Sequence, residues 1–159
     1  MGPLRNAVTG PAGALAALAL LLLGGCTKEP DPVPAACVGE PPALLAALAH
    51  APRAVVLADG TRLSRCVSTA RTDGDLQSLG IAFGRVADVL REQAASDPDA
   101  ALRLGYLAGA VHAGAASGHR GSALQLARRV EQLATLAQDA GAAATAALRR
   151  GLRAGASSG

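Results

Sequence analysis

Residues 73–95 read DGDLQSLGIAFGRVADVLREQAA. Leu76, Leu79, Phe83, Val86 and Leu90 recur at spacings of 3, 4, 3 and 4, which places all five on one face of a helix. Thr72 or Asp73 supplies an N-cap, and Asp75 sits where the helix dipole is positive. The pattern predicts a helix over about 73–95, roughly 34 Å long at ~1.5 Å per residue. One face of such a helix must be covered, so the fold is mainly helical and the rest of the chain has to supply the cover.

Downstream, Asp97-Pro98 offers an N-cap followed by proline at the first helical position, opening a second long helix to about Ala116. Gly105 and Gly109 stand four apart on it; Arg103 and His112 exclude a membrane span there, so this small-residue face is expected to admit a neighbouring helix. Ser117-Gly118-His119-Arg120-Gly121 reads as a break. Ser122 can cap a third helix with Leu126, Val130, Leu133 and Ala137 on one side. Gly141 interrupts, and an alanine-rich helix follows from Ala142 to Arg153 with Leu148 and Leu152 one turn apart. A turn this short predicts that the last two helices pack antiparallel. Residues 156–159 are expected to fray.

Upstream, Pro42–His50 reads as a short helix. Val55-Val56-Leu57 and Thr61-Arg62-Leu63 flank Ala58-Asp59-Gly60, and Asp-Gly between β-prone runs predicts a small hairpin. The expected architecture is a small bundle of four to five helices with a short N-terminal β-hairpin, occupying residues 37–155.

Composition narrows the function. Alanine (39) outnumbers leucine (24), and there is one Phe, one Tyr and no Trp. Base-stacking platforms and aromatic cages are therefore excluded. A net charge of +3 is too small for a dedicated nucleic-acid binder. The charge is uneven, however. Residues 26–99 hold seven basic and ten acidic side chains, whereas 100–159 hold seven basic and two acidic. Arg128, Arg129, Arg149, Arg150 and Arg153 concentrate the excess in the last two helices and are candidate contacts for an anionic surface, lipid headgroups or acidic polymer, against the plainer reading of a solvated helix face.

The first 25 residues have the form of an export signal: Arg5 in the n-region, the apolar run Ala12–Leu23, then Gly24, Gly25 and Cys26. Twelve apolar residues are too few to span a hydrocarbon core, which takes ~20. Leu23-Gly24-Gly25-Cys26 resembles the lipobox of bacterial lipoproteins. The resemblance covers about 26 residues only. It implies diacylglyceryl modification of the Cys26 sulfur, cleavage just before Cys26, and a stable anchor, since two or more acyl chains hold a protein firmly to a membrane. It implies an extracytoplasmic address on the cell membrane or outer membrane. Thr27 to Ala36, with three prolines in ten residues, then reads as the end of an extended tether over residues 26–36. With Cys26 lipidated, Cys37 and Cys66 remain, an even pair in an oxidising compartment, and a Cys37–Cys66 disulfide is expected.

Catalytic signatures are thin. The histidines are His50, His112 and His119, with no HExxH and no i, i+4 pair for a metal. They read as surface or helix-end side chains. There is no G-x-S-x-G, S-x-x-K, Walker A or G-x-G-x-x-G. Asp73-Gly74-Asp75 lacks the further ligands of a calcium loop and reads as capping. The sequence thus points to a structural or interaction module of the cell envelope, with no catalytic residue, cofactor or metal assigned, joined to the membrane by its lipid and to an envelope protein or acidic polymer by its surface. A small-ligand carrier with a pocket between helices is the alternative.

Overall fold

The computed structural model describes residues 32–117 and 120–159, which belong to one compact unit, Asp31–Gly159. Residues 1–25, expected from sequence to be an export signal, Cys26 and His119 lie outside the described residues. A 3-10 turn at Ala35–Val38 leads into α1 (Pro41–Leu48), α2 (Leu63–Thr69), α3 (Asp73–Gln93), α4 (Pro98–Ser117) and α5 (Arg120–Leu136). A second 3-10 turn at Ala137–Ala140 and Gly141 then lead into α6 (Ala142–Ser158).

The chain is mainly helical, and the local signals that start α3 and α4 act as the sequence suggests, whereas α5 already begins at Arg120, so Ser122, expected to cap it, lies within the helix. At α3 the Thr72 hydroxyl accepts from the Asp75 N–H (3.1 Å), while the Asp75 carboxylate accepts from the Thr72 N–H (3.0 Å). At α4 the Asp97 carboxylate accepts from the Asp99 N–H (2.9 Å). Leu79, Phe83, Val86 and Leu90 are fully buried, and Leu76 packs against the core's edge. The Cys37–Cys66 disulfide closes a loop of 29 residues and pins the first 3-10 turn to α2.

The hairpin expected at 55–63 does not form. Asp59-Gly60 does turn the chain, with Gly60 at φ +80° and its N–H donating to the Leu57 carbonyl (2.9 Å). The Leu57 N–H donates to the Thr61 carbonyl (2.8 Å), and Asp59 accepts from the Thr61 N–H (2.9 Å). Beyond the turn only Val56 and Arg62 pair, as an isolated antiparallel bridge. Leu63 already begins α2, so the second run keeps two extended residues, too few for a strand. Val55 and Leu57 enter the helical core instead.

Two further expectations are corrected at the C-terminal end. The helix that was to stop at Arg153 continues to Ser158, through the segment expected to fray. And α6 lies along α4, not along α5. The cause is steric. Gly105 faces the backbone of Leu148 and Leu152, and Gly109 that of Leu152 and Ala156; Gly151 faces Leu102 and Tyr106, and Gly155 faces Tyr106 and Ala110. Residue numbers rise together across this seam, so the helices run parallel. A Cβ at any of the four glycines would fall inside the partner backbone's van der Waals shell. Backbones this close gain dispersion and weak Cα–H···O contacts that no larger side chain permits. The small-residue face expected to admit a neighbour does so, and the neighbour brings a matching pair of glycines. α4 is consequently apolar nearly all round, buried from Ala100 to Val111 except at Arg103, with α2, α3, α5 and α6 disposed about it.

Candidate interaction surfaces

α6 presents two faces of opposite character. Ala144, Ala147, Leu148, Gly151 and Gly155 are buried toward α4. Arg149, Arg150 and Arg153 are exposed, in one stripe with Ala142, Ala143, Ala146, Ala156 and Ser157. The helix holds no acidic residue, and no carboxylate of a described residue lies within 4.0 Å of these three arginines. The stripe is therefore positive along its length and flanked only by small side chains.

Arg128 and Arg129 are exposed on α5. Arg129 lines a groove between α3 and α5, away from α6, so the five arginines are divided between two helices that do not pack side by side. That groove measures about 750 Å³ and is lined by Asp73, Gln77, Gly80, Ile81, Arg85 and Asp88, with Leu126 in its floor. It continues past Gly84 and Arg129 into a second hollow of about 450 Å³ bordered by Gln132, Leu133 and Leu136. α3 and α5 run in the same direction here, since low numbers on one lie by low numbers on the other. Gly84 stands in open space, and Ile81 and Leu136 are 51% and 58% exposed.

Among the histidines, His50 is exposed just beyond α1. His112 meets Glu131 across α4 and α5, Nδ1 to Oε1 at 3.0 Å. Both side chains are about half exposed and neither lines the groove, so the pair ties two helices at the surface rather than standing in a cleft. Sequence gave no sign of this pair, whose partners lie on different helices.

Tyr106 is a second residue that sequence reading did not single out. It is fully buried, and its phenol oxygen accepts from the Val55 N–H (2.9 Å) and lies 3.3 Å from the Ser158 hydroxyl. One side chain on α4 thereby joins the loop before α2 to the end of α6. The Ser64 hydroxyl donates to the Gly159 carbonyl beside it.

Asp75 and Asp59 have carboxyl pKa values below the ordinary range. For Asp75 the cause is donation by the Arg71 and Thr72 N–H groups; for Asp59 it is donation from Thr61. Both are exposed capping or turn residues. Asp73-Gly74-Asp75 opens α3, and among the described residues no three His, Cys, Asp or Glu side chains gather where an ion could be held. No helix among the described residues is long and apolar enough to cross a membrane. No protein-family model, curated protein or solved structure matches the chain.

Proposed function

We propose that this chain is a lipid-anchored, extracytoplasmic module of the bacterial envelope that works by binding and not by chemistry, with α6 as its contact for anionic surfaces. The Cys37–Cys66 disulfide is the observation that carries the address: it suits an oxidising compartment and leaves Cys26 as the remaining cysteine of three, at the lipobox. The α6 stripe supports the binding mode, because three arginines with no carboxylate of a described residue within 4.0 Å face outward on a helix whose other face packs on α4. Near an anionic bilayer each contributes about 1 kcal/mol of attraction.

Cys26→Ala is the test of the anchor. The variant should leave the membrane fraction on detergent-free fractionation; a variant that stays bound and uncleaved means a transmembrane anchor. The unit Asp31–Gly159 should co-sediment with anionic vesicles at low salt and much less at high salt, as the Debye length falls from ~10 Å at 0.1 M to ~3 Å at 1 M. Replacing Arg149, Arg150 and Arg153 with Gln should abolish that binding. Equal binding to neutral vesicles would reduce the stripe to composition bias.

The α3–α5 groove speaks for the carrier reading by its volume. Its open length and dispersed polar groups speak against it, since small-molecule sites enclose their ligand and converge on it.

A further inference from the structure

The arginines of α6 are aimed as well as exposed. At about 100° of turn per residue, Ala144, Ala147, Leu148, Gly151 and Gly155 centre on one direction, toward α4. Arg149, Arg150 and Arg153 fan over about 100° of arc, centred about 170° from that direction. They fall within roughly 6 Å of one another along the axis, at ~1.5 Å per residue. The other exposed positions of the arc hold only alanine and serine.

Two observations narrow what such a ridge can meet. The first is its form. α6 packs on α4 and on the 3-10 turn that leads into it, and no other element packs along it. A convex ridge cannot enclose a small anion, but it can lie on a surface. Nor does it carry anything to bury there. The large apolar side chains that stand exposed among the described residues are Val38, Val56, Ile81, Leu124 and Leu136, all on other elements, and Leu152 packs against the core. A helix that enters a bilayer interface does so with Trp, Phe or Leu on its lipid side. The second observation is reach. Val33 packs against the core, only seven residues after Cys26. Seven residues span at most about 25 Å. With Cys26 lipidated, the bilayer is therefore the anionic surface nearest to α6. So short a linker confines the domain there at a millimolar effective concentration, which keeps even a contact of three arginines engaged.

We propose that α6 lies flat on the headgroups of the bilayer that holds the lipid anchor, its guanidinium groups on lipid phosphates, without entering the acyl region. The anchored domain is then docked in one orientation, with the α3–α5 groove clear of the headgroups, instead of swinging on its tether. This rests on the lipid anchor and the anionic-surface contact proposed above, and it adds the occupant, the depth and the orientation.

The test is energy transfer in the full chain, lipidated at Cys26 and reconstituted into vesicles carrying a headgroup acceptor. The donor is placed on one added thiol, Ser157→Cys within the arginine arc or Ile81→Cys in the groove; Cys37 and Cys66 are in the disulfide and do not compete. In anionic vesicles at low salt, the Ser157 label should lie nearer the headgroups than the Ile81 label by at least one helix-packing distance, ~8–10 Å. The difference should vanish in neutral vesicles, at high salt, and when Arg149, Arg150 and Arg153 are all replaced by Gln. The replaced residues are exposed, so the melting curve should stay in place. Equal distances for the two labels in anionic vesicles overturn the docking, as does a difference that survives the arginine replacements. Tighter binding to small than to large vesicles of one composition means insertion and overturns the headgroup depth. Release of the domain from the headgroups by soluble polyglutamate assigns the stripe to an acidic polymer instead. Any of these results obtained while the unit Asp31–Gly159 still co-sediments with anionic vesicles overturns this inference alone. Failure of that unit to co-sediment overturns the anionic-surface reading itself.

Discussion

Tyr106 shows what a single polar atom does in a core this poor in large side chains. The Val55 N–H is buried and its partner is the Tyr106 phenol oxygen. Tyr106→Phe keeps the ring and removes the acceptor, so the N–H is left without its bond. The expected loss is about 1–3 kcal/mol, read from urea denaturation; a loss near zero would mean water takes the place of the phenol. Asp75 offers a pH-dependent counterpart. Its folded pKa is depressed, so its contribution is present above the ordinary carboxylate value, ~3.9, and is lost as pH falls through the folded pKa. Asp75→Asn should therefore melt below the parent at neutral pH, and the two should converge in acid. At this scale the capping residues were legible, because Thr72 and Asp75 act on neighbours in sequence. The roles of Tyr106 and of His112 with Glu131 were not. Their partners lie 51 and 19 residues away, and no local pattern encodes such a pairing.

The positions of α3 and α4 followed from spacing and caps because both are local physics, whereas α2 was not foreseen and α5 starts before the Ser122 expected to cap it. The hairpin failed for a reason at the same scale: Asp-Gly fixes a turn, but a turn makes a hairpin only if both arms stay extended, and Leu63 belongs to α2. Packing order failed because a short connection constrains where a helix starts and not which face it seeks. Gly151 and Gly155, four apart like Gly105 and Gly109, were the available signal that α6 belongs on α4. The glycines divide into two groups with opposite expected behaviour. Gly105→Ala drives a methyl into the Leu148 carbonyl and should cost about 1–3 kcal/mol or more by overpacking. Gly84→Ala meets nothing and should raise helix stability by up to ~1 kcal/mol. Thermal unfolding of the two variants side by side checks the seam, and equal shifts would contradict it.

For the molecule as a whole, the disulfide replaces bulk that alanine cannot provide. Cys37 and Cys66 enclose 29 residues, so the chain-entropy model assigns the bond roughly 3.5 kcal/mol. Replacing both cysteines with serine should lower the denaturation midpoint accordingly; an unchanged midpoint would show that α1, α2 and the turn at Gly60 hold without it. The pairing was legible from cysteine count. The groove was not, since it arises from how α5 sits against α3 after α4 has reversed the chain between them.

The parallel seam of α4 and α6 also bears on the order in which the chain is made. Twenty-four residues, 118–141, separate Ser117 from Ala142, and α6 adds 17 more. At ~5–20 residues per second, α4 waits roughly 2–8 s on a growing chain before the helix that covers its glycine face is complete. Gly105 and Gly109 add little apolar surface of their own to the waiting face, which they share with Leu102, Tyr106 and Ala110. A leucine seam would hold the native pair by its bulk and would be adhesive from the moment it was synthesised. Here the adhesive contact comes into being only when the matching helix arrives.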